Sequence, residues 1–177
     1  MSHNSLRSTL TLVFIVASSV QARAQSVEES VSLELSGFEE VPTFEDLTKK
    51  YGMAPATAAV LALADDESAR PFLRARALAL LGQSESPEAL PVIRRALSTP
   101  EQPFTILFAA VSAAGRKGNG LVEALRPHLD SEDVHLREVA IGSLAKIGTP
   151  ESKRLLATRR PKETSPMLKR KLAELDR

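Results

Sequence analysis

The sequence predicts an all-α fold, a solenoid of stacked antiparallel helix pairs, and three observations carry that prediction. One pattern is written twice in clear register: LRARALALLGQSESPEALPVI from Leu73 to Ile93, and LREVAIGSLAKIGTPESKRLL from Leu136 to Leu156. The copies lie 63 residues apart, two units of 31 or 32, with a blurred copy between them. Arg74 matches Arg137, Ala77 matches Ala140, Leu81 matches Leu144 and Pro87-Glu88 matches Pro150-Glu151. Secondly, apolar residues within a copy recur at helical spacing, as Ala89, Ile93 and Leu97 do at i, i+4 and i+8. Thirdly, the chain is 43% hydrophobic but only 4% aromatic, with no Trp, so its core is built from Leu, Ala, Val and Ile. A unit of this length cannot bury its apolar face alone, and stacking on its neighbours solves that problem.

The 177 residues divide into three parts. Residues 1–24 read as a cleaved signal peptide: Arg7 is the basic start, Leu10 to Ala17 the apolar stretch, and Ala22-Arg23-Ala24 the small-x-small cleavage pattern. The apolar run is shorter than the roughly 20 residues a bilayer-spanning helix needs. No Cys occurs, so lipid attachment, disulfides, thiolate metal sites and thiol nucleophiles are excluded. Residues 25–42 read as an acidic, mostly extended leader, in which Val31, Leu33 and Leu35 alternate with polar residues before Ser36-Gly37. Residues 43–177 form the helical array.

Within the array, Thr43 caps a first helix with Asp46 three residues on, Phe44, Leu47 and Tyr51 share its face, and Gly52 ends it. Pro55 opens a second helix that stops at Asp65-Asp66. This pair is a degenerate end unit. The first clear repeat has helix A over about 70–82, closed by Gly82 or Gln83. Its helix B starts at Ser86-Pro87-Glu88, with Arg94 and Arg95 outward. The second repeat starts near Pro103 and carries Phe104, Ile106, Leu107, Phe108 and Val111. Leu121, Leu125 and Leu129 follow, and Pro127 kinks or shortens that helix. Ile106 stands where the other copies have Arg74 and Arg137, which predicts a more buried central helix. The third repeat opens at Ser131-Glu132-Asp133, with acids at the positive helix end. A final helix over about 165–175 places Met167, Leu168, Leu172 and Leu175 against the stack.

This register resembles the HEAT-like repeat family, the short bacterial PBS-lyase type, over about 70–160. Arg74, Ala77, Leu81, Gly82 and Pro87-Glu88-Ala89-Leu90 carry the resemblance, with Arg137, Ala140, Leu144, Gly148 and Pro150-Glu151. The resemblance implies a right-handed α-solenoid whose concave face, formed by the second helices, binds other proteins. It also implies that Arg74 and Arg137 support packing, by pairing with an acid of the preceding loop: Asp66 or Glu67 for Arg74, and Asp130, Glu132 or Asp133 for Arg137. Some relatives are associated with lyases that attach bilin pigments. This chain departs from them in its export pattern and its few aromatics.

Charge is distributed unevenly. Residues 26–70 hold ten acidic and three basic groups, and residues 151–177 hold nine basic and four acidic. Such a gradient steers partners or favours head-to-tail contacts. The partner-binding candidates are Arg94, Arg95, Arg126 and Arg154, a basic row on the B helices suited to an acidic surface or peptide. His128 and His135 lie in different helices without further ligands, so no metal site is predicted. No catalytic constellation is found, and Gly115-Arg116-Lys117-Gly118-Asn119-Gly120 lacks the closing Lys-Ser/Thr of a phosphate loop. The Lys169-Arg170-Lys171 run leaves one face of the last helix solvated.

These features predict a non-enzymatic, exported protein-binding or scaffolding module, periplasmic or secreted by a bacterium. It has no cofactor, no metal, no nucleic-acid partner and no stable membrane insertion after cleavage. The competing readings are an accessory subunit or regulator of an envelope enzyme, and a self-associating structural unit.

Overall fold

A computed structural model describes residues 27–37 and 40–175, and every regular element among them is helical. The expected signal peptide, 1–24, lies outside the described residues. The expectation of an extended leader is corrected, because residues 27–36 form a helix, α1. Val31 and Leu35 are four residues apart and fully buried, whereas Leu33 between them is 74% exposed. On a strand all three would share a face, whereas on a helix only i and i+4 do, which is the burial observed.

Two compact units are present, residues up to Ala59 and residues from Val60 onward. In the first, α2 (Phe44–Tyr51) carries the full capping box. Thr43 Oγ1 accepts the Asp46 N–H at 3.2 Å, and Asp46 accepts the Thr43 N–H at 2.9 Å. The Tyr51 hydroxyl and Lys50 Nζ both donate to Glu34 of α1. Phe44 and Leu47 are buried, and Gly52, at φ 89°, ends the helix. Helix α3 (Met53–Asp65) starts two residues ahead of Pro55 and runs across the boundary between the units.

In the second unit the first helices of successive repeats, α4 (Pro71–Leu81), α6 (Phe104–Lys117) and α8 (Val134–Ile147), pack on one another in order. Their partners are α5 (Ala89–Ser98), against α6, and α9 (Pro150–Arg159), against α8. This consecutive packing of helix pairs is consistent with a helical solenoid. Ala77, Leu81, Ile93, Ala140 and Leu144 are fully buried, as the register requires.

Small residues set the spacing of the stack. A Cβ on Gly82 would lie 2.9 Å from Ala113 Cα, and one on Gly115 would lie 2.8 Å from Ser143 Cα. Gly82 therefore serves close approach. Its φ of −63° is ordinary right-handed helix, while Gly148, at φ 68°, is the left-handed cap of α8.

The second repeat departs most from regularity. Its second helix is broken into a 3₁₀ turn (Asn119–Leu121), α7 (Val122–Leu125) and a further 3₁₀ segment (Arg126–Asp130) around Pro127, which lacks an N–H. Leu121, Leu125 and Leu129 remain buried, and so does Ile106. Phe104 and Phe108 do not belong to the core. They are 45% and 41% exposed, with ring centroids 5.8 Å apart. In α10 (Pro166–Glu174) Leu168 and Leu172 are buried, but Met167 and Leu175 face solvent.

Candidate functional site

The four arginines predicted to bind a partner are exposed, and each already has a partner within the chain. Arg94 Nη2 donates to the Gly120 carbonyl at 2.7 Å, tying α5 to the turn after α6. Arg95 pairs with Asp65, and Arg126 with Glu123 at 2.7 Å. Arg154 Nε lies 3.5 Å from the Pro150 carbonyl. The Glu123 carboxyl is held below its ordinary value by the Arg126 hydrogen bond first, with the Arg154 charge contributing. Acids and carbonyls of the chain thus engage each of the four arginines.

A different face carries cations without such partners. A groove of about 500 Å³ lies over α6, α8 and α10. Two helical rows wall it, Phe108-Ser112-Arg116 on α6 and Glu138-Gly142-Lys146 on α8, each at i, i+4 and i+8. Lys171 of α10 closes the third side and pairs with Glu138 at 3.1 Å. Arg116 and Lys146 are exposed in the last turns of their helices, where the dipole favours a cation. No carboxylate among the described residues pairs with either of them. No repeat register marks this groove in the sequence, since its two rows are 30 residues apart against a unit of 31 or 32.

Arg137 does support the stack, with a different acid from the one the resemblance implies. Its Nη1 donates to the Ser131 and Glu132 carbonyls of the preceding loop at 2.8 and 3.0 Å. Its carboxylate partner is Glu163, beyond the 3₁₀ turn that follows α9. That buried carboxylate accepts Arg137 Nε and Nη2 at 3.2 and 3.1 Å, and Arg159 Nε and Nη2 at 3.2 and 2.9 Å. The Thr164 and Ser165 N–H groups add bonds at 2.9 and 2.8 Å. Burial pushes the Glu163 carboxyl up, yet Arg137, the Ser165 N–H, Arg159 and the Thr164 N–H together hold it at about 2. Asp130 joins the cluster through Arg159 Nη1 at 2.9 Å. Arg74 Nε donates to the Ala64 carbonyl at 3.5 Å, and the Asp66 carboxyl is held below its ordinary value by the Ser68 hydrogen bonds first, with the Arg74 charge contributing.

His128 is buried, accessible over 8% of its surface, and burial keeps its imidazole below its ordinary pKa. No group of three or more His, Asp or Glu among the described residues is placed to hold a metal ion. The glycine-rich stretch is the turn after α6, where Gly118 has φ 85° and Lys117 Nζ reaches back to the Ser86 carbonyl at 3.1 Å. Among the described residues no helix is long and apolar enough to cross a membrane. Comparison with protein-family models and with curated proteins returns no match.

Proposed function

We propose that this chain is an exported, non-enzymatic protein-binding or scaffolding module, a right-handed HEAT-like α-solenoid, and that its binding face is the groove over α6, α8 and α10. The observation that carries the reading is the contrast between its two cationic faces. Arg94, Arg95, Arg126 and Arg154 are engaged within the chain, whereas Arg116 and Lys146 pair with no carboxylate among the described residues and share a groove with the exposed Phe108. An unpaired cation beside an exposed aromatic gives a partner both a charge to oppose and apolar surface to bury. The HEAT-like assignment is supported by the residues that recur in register, and the export reading by the pattern in residues 1–24.

The test is capture from the native envelope fraction by two double variants whose helicity is checked by circular dichroism. Arg116→Glu with Lys146→Glu should lose the captured protein, and Arg94→Glu with Arg126→Glu should keep it. The opposite pattern returns the binding face to the B helices. Equal capture by both variants removes the charged faces from the function.

A further inference from the structure

We infer that the groove over α6, α8 and α10 receives an acidic peptide segment carrying one apolar side chain, with Gly142 as its open floor. The inference rests on the protein-binding reading and gives that partner a chemistry.

The first argument is charge. Arg116 and Lys146 stand in the last turns of neighbouring helices, and Lys171 of α10 lines the same groove. Glu138 offsets one of these three cations, leaving a net excess of positive charge in the groove. Carboxylates of an incoming segment complement Arg116 and Lys146 directly and compete with Glu138 for Lys171. The second argument is the apolar rim. Phe108 lines the groove and Phe104 packs beside it, both exposed, so one apolar side chain of the segment has a surface to cover.

The third argument is Gly142. Glycine inside a helix costs about 1 kcal/mol relative to alanine, so its presence calls for a local reason. Gly82 and Gly115 have one, since the adjoining helix leaves no space for a Cβ. Gly142 has neither that crowding nor a positive φ, because the nearest atom a Cβ would meet is Lys171 Nζ at 3.9 Å. A side chain there would stand in the groove. Its absence keeps the floor open to the backbone or side chain of a bound segment.

The experiment is fluorescence anisotropy on the full chain, with a labelled ten-residue peptide of alternating Glu and Asp around one central Leu. Control peptides replace the acids with Lys, or the Leu with Ser. The acidic Leu peptide should bind, more weakly as salt rises, and the Lys control should not. Arg116→Glu with Lys146→Glu, and separately Gly142→Leu, should each weaken binding by roughly tenfold or more, equivalent to about 1.4 kcal/mol. Gly142→Leu carries the test because it blocks the groove without removing charge, at a position where a helix accepts leucine. Unchanged binding by folded Gly142→Leu overturns the inference. So does equal binding of the Ser control or of single-stranded DNA, or a sedimentation shift in which the groove variants abolish binding to a second copy of this chain instead. If groove variants lose envelope capture while the acidic peptide fails to bind, the protein-binding reading stands and the acidic-segment inference falls.

Discussion

The first and third repeats share their sequence pattern position by position, yet they anchor themselves differently. Arg74 and Arg137 occupy the same place and are 8% and 7% exposed. Arg137 binds two carbonyls of the loop before it and forks onto the buried Glu163 beyond α9. Arg74 has one long bond, to the Ala64 carbonyl. The repeat position therefore specifies a buried guanidinium that bonds carbonyls of the preceding segment, in α3 for Arg74 and in the loop before α8 for Arg137, and the buried carboxylate is a local addition. At the third repeat that addition joins α8, α9 and the segment leading into α10 through a single carboxylate.

The largest expected effect follows from that difference. Arg137→Ala removes one of two guanidiniums from a carboxylate without solvent access, and breaking such a cluster costs about 3–5 kcal/mol. Arg74→Ala should cost about 1–2 kcal/mol, the value of a modest hydrogen bond and its packing. Urea denaturation of both variants measures the two losses. Equal losses would mean that Glu163 adds nothing to the third repeat.

Acid titration isolates the Glu163 anchor from the buried His128. The Glu163 carboxyl lies at about 2 when folded and near its ordinary 4.5 when unfolded. A depressed carboxylate stabilises fully above its unfolded value, so its contribution, about 3 kcal/mol, is lost as pH falls from near 4.5 towards 2. Glu163→Gln should remove that slope while lowering stability at neutral pH, because two buried guanidiniums lose their counter-charge. His128 acts earlier. Its folded pKa is depressed by burial, so stability begins to fall as pH drops below its ordinary 6.5. Glu163→Gln should leave this upper slope in place, and His128→Gln should remove it. Denaturation midpoints between pH 7 and 3 measure both.

These anchors show what could be read from the residues alone. Ala77, Leu81, Ile93 and their counterparts were legible because burial repeats with the unit. The Thr43–Asp46 cap was legible because it is closed within four residues. Glu163 was not, since it lies 26 residues from Arg137 and outside any repeat position. Phe104 and Phe108 stand beside Ile106 in the second repeat, and only the fold shows that α6 buries its small residues and leaves the rings exposed. The α1 helix was missed because apolar residues spaced by two have the period of a strand, while only Val31 and Leu35 are buried. The groove was missed because exposed charged residues look like solvated surface until the fold brings them to one cavity.

The smallest effects test the glycines, where the stack and the groove make opposite demands on one residue type. At Gly115, a Cβ would sit 2.6 Å from Ser143 Oγ and 2.8 Å from its Cα. Ser143 cannot simply rotate away, because its own backbone is in the path and its hydroxyl donates to the Val111 carbonyl at 2.8 Å. Gly115→Ala should therefore force α6 and α8 apart and destabilise by about 1–3 kcal/mol, despite alanine's better helix propensity. Gly142→Ala meets no such wall and should stabilise by about 0.5–1 kcal/mol through propensity alone. Thermal melts of the two alanine variants have opposite predicted signs, which makes the pair a sharper test than either alone. A loss at Gly142 would show that its open surroundings are needed for packing, and would remove the argument that the residue is kept small for a ligand.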